Sequence, residues 1–126
     1  MSILKSTRKL AMGPLLAVAA FAASAEDVKL PDGNDWSIGT ERDHLIYILG
    51  MSNTLSAGYV YDEKHFPGQK ETFSHRAVAG LNGTTVEQAV TVIDAWYKAH
   101  PTQLDTPIFK VLWDQIGKPR IAKSHK

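Results

Sequence analysis

The side chains best equipped for chemistry in this 126-residue chain are five histidines, and their spacing gives them little to work with. His44, His65, His75, His100 and His125 are scattered. No H-E-x-x-H run occurs, the pattern that puts two imidazoles on one helix face to grip zinc with a carboxylate between them. Asp62, Glu63 and His65 bring two carboxylates and an imidazole into four consecutive positions, a donor set that suits zinc and also the make-up of a solvated acidic loop tip. His75 beside Arg76 offers two cationic donors to an anion. His100, directly before Pro101, reads as a charge favouring a helix C-terminus.

Nucleophilic catalysis has no better footing. Cysteine is absent, which removes thiol chemistry and thiolate metal sites together. No serine stands in a G-x-S-x-G elbow, and Ser52, Ser56 and Ser74 carry no positional signal. The glycines are spread as turn and cap residues, not gathered into a phosphate loop. A carboxylate pair for sugar cleavage depends on a separation in space that spacing along the chain does not give. The expectation is therefore a protein that is not an enzyme and needs no cofactor or metal. What stands out instead is the aromatic content between Gly58 and Gly83. Tyr59, Tyr61, His65, Phe66, Phe73 and His75, with Arg76 alongside, are the residue types that anchor protein interfaces, and these six are the candidate partner contacts. The competing reading has Phe66 and Phe73 tucking inward to close the core.

The elements that must position these residues are helical. Thr84 with Glu87 three residues on, Pro101 as a stop, and apolar Val86, Ala89, Val90, Ile93, Trp96 and Tyr97 at helical spacing predict a helix over about Thr85 to Ala99. On it, Asp94 and Lys98 form an acid-then-base pair four apart. Asp105 or Thr106 as cap, Pro107 in the first turn and Gly117 with Pro119 beyond predict another from Pro107 to Ile116. Its core face is Ile108, Val111, Leu112 and Ile116, while Phe109 and Trp113 form a second apolar stripe, either sandwiched in the core or turned to a partner. Thr40 with Asp43 opens an earlier helix running to about Ala57, with Leu45, Ile48, Leu49, Ser52 and Leu55 toward the core and Gly50 in its middle. Gly58 to Gly83 reads as an irregular connection, with a short helix over Thr72 to Ala79 inside it. Glu26 to Gly39 reads as a turn-rich arm anchored by Trp36, and the basic stretch from Lys118 as a frayed tail. The expected fold is all-α, a small bundle of three main helices plus that short fourth, in one domain over residues 26–126.

Residues 1–25 carry the marks of a secretory leader: Lys5, Arg8 and Lys9, an apolar run from Leu10 to Ala22, and Ala23-Ser24-Ala25 as a cleavage site. The run is too short to span a bilayer, which takes roughly 20 residues. Removing it takes three cations away and moves the formal charge from +1 to −2. That balance gives no reason to expect nucleic acid as a partner. The expected location is the periplasm or beyond, and a disulfide-free domain there must rely on its packed core. Asn82-Gly83-Thr84 also fits a glycosylation triplet, a pattern common by chance.

The order of these pieces resembles a known family. Tyr47-Ile48-Leu49-Gly50 on the first helix, Gly83-Thr84-Thr85-Val86-Glu87-Gln88 opening the next, Ala99-His100-Pro101 closing it, and a last helix after Thr106-Pro107 look like the Rap1a/Tai-type periplasmic immunity proteins. The likeness covers roughly residues 40 to 117, and the chain departs from the family in having no cysteine. It implies a homodimer that occludes a peptidoglycan amidase delivered by type VI secretion. Two other functions fit the residues: a helical holdase of the cell envelope, and a metal-assisted hydrolase using His65 or His75.

Overall fold

The computed structural model describes residues 28–126, so the leader read from residues 1–25 lies outside the described residues. Residues 31–126 pack as one unit. Its elements are α1 (Gly33–Ile38), α2 (Glu41–His65), α3 (Phe73–Leu81), α4 (Val86–Ala99), α5 (Ile108–Leu112), a π turn (Trp113–Gly117) and α6 (Lys118–Ser124). The fold is all-α, and the described residues contain no strand beyond an isolated bridge between Asp32 and Pro107. None of these helices is long and apolar enough to cross a membrane.

Each helix start has a local cause. Thr40 accepts from the Asp43 amide while Asp43 reaches back to the Thr40 amide, the reciprocal cap its spacing predicts. The same device opens α4 one residue later than the sequence suggests, with Thr85 and Gln88 as partners in place of Thr84 and Glu87. Asp32 and Asp35 form a third such pair, which turns part of the expected arm into α1. α5 has no side-chain cap; its first amide, Ile108, donates instead to the Pro31 carbonyl at 3.0 Å. Carbonyl and amide thus tie the arm to the start of the last helical segment.

Two boundaries differ from the sequence reading, for reasons the packing makes plain. Glycine and aromatics after Ala57 suggested a loop, yet α2 runs on to His65. Gly58 sits against the Ser74 side chain, so its missing Cβ is the space α3 uses to approach. The helix ends where Phe66 precedes Pro67, since a residue before proline is pushed out of the helical region. At 25 residues and 1.5 Å per residue, α2 is about 37 Å long. The second difference is the tail. Gly117 does not stop the last helix; a π turn carries the chain into α6, and Pro119 falls in the first turn of α6, where a missing N–H is tolerated. The wide turn lies against α3 at a glycine contact: a Cβ on Gly80 would stand 2.8 Å from the Gly117 Cα and 2.9 Å from the Trp113 ring.

The core is gathered by α4. Ala89, Val90, Ile93 and Tyr97 are buried on it, and they meet Ile48 of α2, Trp36 of α1, and Ile108, Val111 and Leu112 of α5. Of the stripes read for the helices at Val86–Ala99 and Ile108–Ile116, Ala89, Val90, Ile93, Tyr97, Ile108, Val111 and Leu112 are buried, and Val86, Trp96 and Ile116 half-buried. On α2 the reading needs correction: Ile48 is buried and Leu45 and Leu55 half-buried, but Leu49 and Ser52 are exposed. A helix with apolar side chains on more than one side cannot bury them all against a single neighbour.

Candidate functional site

The six residues singled out from the sequence fall into two groups. Tyr59 and His75 belong to a clamp between α2 and α3. His75 is 5% exposed, and both ring nitrogens are engaged: Nε2 with Glu63 Oε1 at 2.5 Å and Nδ1 with Thr72 Oγ1 at 2.7 Å. Asp62 Oδ2 lies 3.9 Å from the same Nδ1, and the half-buried Tyr59 ring sits 4.6 Å from the imidazole. Lys70 Nζ reaches Glu63 Oε1 at 2.6 Å from the turn between the helices. The Lys70 ammonium first, and His75 second, hold the Glu63 carboxyl below its usual range, and Glu63 in turn raises Lys70. His75 is therefore removed from the set of partner contacts.

Hydroxyl, imidazole and carboxylate in a line is the order found in nucleophilic hydrolases. Here Thr72 Oγ1 also accepts the His75 amide at 3.3 Å as the cap of α3, and the imidazole is walled off from solvent. The arrangement fixes the angle between two helices. Asp62, Glu63 and His65 do not converge either: Asp62 and Glu63 turn to His75, whereas His65 Nδ1 meets its own Tyr61 carbonyl at 2.9 Å. Among the described residues no three His, Asp or Glu side chains are placed to hold a metal. The anion site read from His75 and Arg76 is also taken, since Arg76 pairs with Glu71 at 3.4 Å.

Tyr61, His65, Phe66 and Phe73 form the second group, and all four are exposed. Tyr61 stacks on His65 at 4.1 Å and meets Phe66 edge-on at 6.3 Å. Phe73 stands in the first turn of α3 with 64% of its surface in solvent, and its ring rests 5.3 Å from Phe109 of α5. Phe109 in turn lies 6.3 Å from Trp113, nearly parallel. The stripe of Phe109 and Trp113 is thus half-buried, with Trp113 packed on Gly80 and Gly117 and Phe109 backing Phe73. On one side of the Phe73–Phe109 pair is an open apolar hollow walled by Ile46, Tyr47, Gly50 and Thr54 of α2. On the other is a smaller pit between Arg76, Ala77 and Trp113. Ile46 is 56% exposed, and nothing lies within 4 Å of where a Gly50 Cβ would be. Tyr61 follows Gly50 by eleven residues, close to three turns, so the same side of α2 carries both.

This face is two aromatic rings standing between two hollows on a rigid helical base. Rings are large, apolar and low in conformational freedom, and hollows beside them accept side chains from another surface. Phe73 and Tyr61, singled out from the sequence, lie on exposed surface. The sequence reading missed Ile46 and Gly50, whose only trace was that α2 has more apolar positions than one buried stripe requires.

No family model, curated protein or solved structure matches the chain.

Proposed function

We propose that the protein is an exported binding protein that works by covering a surface of another protein, in the manner of an immunity protein that occludes a secreted cell-wall amidase. The observation that carries this reading is Phe73: a phenylalanine 64% exposed, held on a helix start, backed by Phe109 and flanked by apolar hollows on both sides. Burying such a ring contributes roughly 1.5–3 kcal/mol, enough for it to act as an anchor. Arg76 at the edge adds the cationic residue type enriched at interface cores. Export rests on the leader-like residues 1–25, and the amidase rests on the likeness to the Rap1a/Tai type.

The test is inhibition of peptidoglycan cleavage by a secreted amidase encoded beside this protein. A one-to-one loss of cleavage is expected. It should be relieved by Phe73→Asp with the melting temperature within about 3 °C, because an exposed position changes stability by at most about 0.5 kcal/mol. Undiminished cleavage in the presence of excess protein counts against the reading. Suppression of aggregation of unrelated unfolded proteins, without a stoichiometric partner, places the same apolar face in a holdase.

A further inference from the structure

A second feature lies away from the aromatic face and does not depend on it. Between α2, α3 and the start of α4 the bundle is not filled: a cleft of about 240 Å³ opens there. Its floor is made of side chains that are themselves core, Ile48, Ala77, Ala89 and Leu112, each at most 3% exposed. It therefore reaches into the bundle. Two of those four are alanines, one on α3 and one on α4, where any larger apolar residue would fill the space. Met51, Leu55, Val78, Leu81 and Val86 continue the apolar lining upward.

The mouth is of different character. Ser52 and Ser56 on α2, and Asn82, Thr84 and Thr85 on the loop before α4, place hydroxyls and an amide around it. No Asp, Glu, Lys, Arg or His lines the cleft. The loop side is fixed from outside, because Arg120 of α6 donates to the Asn82 carbonyl and the Thr84 hydroxyl, each at 2.8 Å. An apolar cavity of about 150 Å³ holds a benzene, so one of this volume suits roughly nine or ten non-hydrogen atoms. An apolar interior with a few placed polar groups at its mouth is the usual form of a small-molecule site.

We propose that this cleft binds one neutral, single-chain amphiphile of about eight to ten heavy atoms, with its aliphatic chain on Ala77 and Ala89 and a hydroxyl or amide head among Ser52, Ser56 and Thr84. The neutral head follows from the lining, which holds no charged side chain: Arg120 stands behind the loop and already donates to the Asn82 carbonyl and the Thr84 hydroxyl, so a carboxylate or ammonium in the cleft would give up water without a charged partner inside it. The chain length follows from the volume.

Titration of the full exported protein with 1-octanol, followed by amide chemical shifts, tests this. Saturable shifts are expected at Ala77, Thr84, Thr85 and Ala89, with octanoate bound at least tenfold more weakly. Ser52→Trp places an indole over the mouth from an exposed position and should lower octanol affinity at least tenfold with the melting temperature unchanged. Ala89→Leu fills the floor and should do the same if it folds; Ser52→Trp carries the test if it does not. Phe73→Asp should leave octanol binding as it was. Shifts that fail to saturate, shifts centred on Phe73 and Phe109, or full octanol affinity in Ser52→Trp would each overturn the proposal. Equal binding of octanoate and octanol would overturn the neutral head.

Discussion

Two corners of this molecule are rich in aromatic rings, and they are built on opposite terms. Around Trp36 the indole, the His44 imidazole and the Tyr97 phenol each have a polar partner. The indole Nε1 donates to Asp94 Oδ1 at 2.6 Å, and the His44 ring stacks flat on it at 3.7 Å while its Nε2 meets the Trp36 carbonyl at 2.7 Å. Tyr97 donates to the Thr106 carbonyl at 2.5 Å, and Tyr47 meets Trp36 edge-on. Around Phe73 no ring carries a hydrogen bond: Phe73 itself stands in solvent, backed by the half-buried Phe109 and Trp113. The first corner joins α1, α2 and α4 and spends its aromatic area on folding. The second leaves the Phe73 ring in solvent, the feature on which the proposed docking role rests. Aromatic content alone does not tell the two apart; a polar partner waiting for the indole or phenol does.

The largest expected effect tests the first corner. Trp36→Ala removes a buried indole from the junction of three helices and should cost about 3–5 kcal/mol. Urea midpoints read this directly. A loss under about 1 kcal/mol would mean that α1 is an ornament and the two corners are not different in kind. Next comes alkaline pH. Burial first, and the nearby Asp32 second, push the Tyr97 hydroxyl up to about 12, against about 10 in an unfolded chain. The folded state keeps its phenolic proton where the unfolded state gives it up. The stabilisation is therefore complete below about pH 10 and disappears as pH rises through about 12. Its size is on the order of 2–3 kcal/mol. Tyr97→Phe should lose about 1 kcal/mol at neutral pH, with its hydrogen bond to Thr106 gone, and should show less decline than the parent between pH 10 and 12. Parallel slopes would show that Tyr97 is not protected.

How much of this could be read from the chain depended on whether the cause was local. The cap at Thr40, the stripe from Ala89 to Tyr97 and the burial of Ile108, Val111 and Leu112 follow from spacing, whereas at α4 spacing offers Thr84 with Glu87, one residue before the pair that forms. The Trp36–His44–Asp94 cluster joins residues 58 apart along the chain, and nothing near Asp94 points to an indole. Its helical spacing suggested Lys98 instead. The same holds for His75: adjacent to Arg76 it looks like an anion site, but Glu63, twelve residues back, claims it. Gly58 and Gly117 misled in a common way. Glycine weakens an isolated helix, whereas in the folded bundle each one sits where another side chain comes close, and the helix passes through. Within the candidate stretch, spacing does not divide the buried side chains from the exposed ones. Exposure separates Phe73 and Tyr61 from His75, and exposure is set by which helices neighbour which.

The finest test of the contrast uses one substitution in both corners. A Cβ on Gly33 would stand 2.5 Å and 2.7 Å from the Tyr97 ring and 2.9 Å from the Leu104 carbonyl oxygen, whose partner is the Gly33 amide at 2.7 Å. Neither neighbour can retreat: the ring is anchored through its hydroxyl and the carbonyl through that amide. Gly33→Ala should therefore destabilise by about 1–3 kcal/mol. Gly50 has nothing within 4 Å, and it lies inside α2, where replacing glycine by alanine removes a propensity cost. Gly50→Ala should stabilise by about 0.5–1 kcal/mol. If a partner seats itself in the hollow beside Phe73, that same methyl should weaken its binding while the fold gains. Opposite signs in urea, with binding weakened only at Gly50, are the pattern expected if the first corner serves the fold and the second the proposed partner. A destabilised Gly50→Ala would mean the open side of α2 is already committed within the molecule.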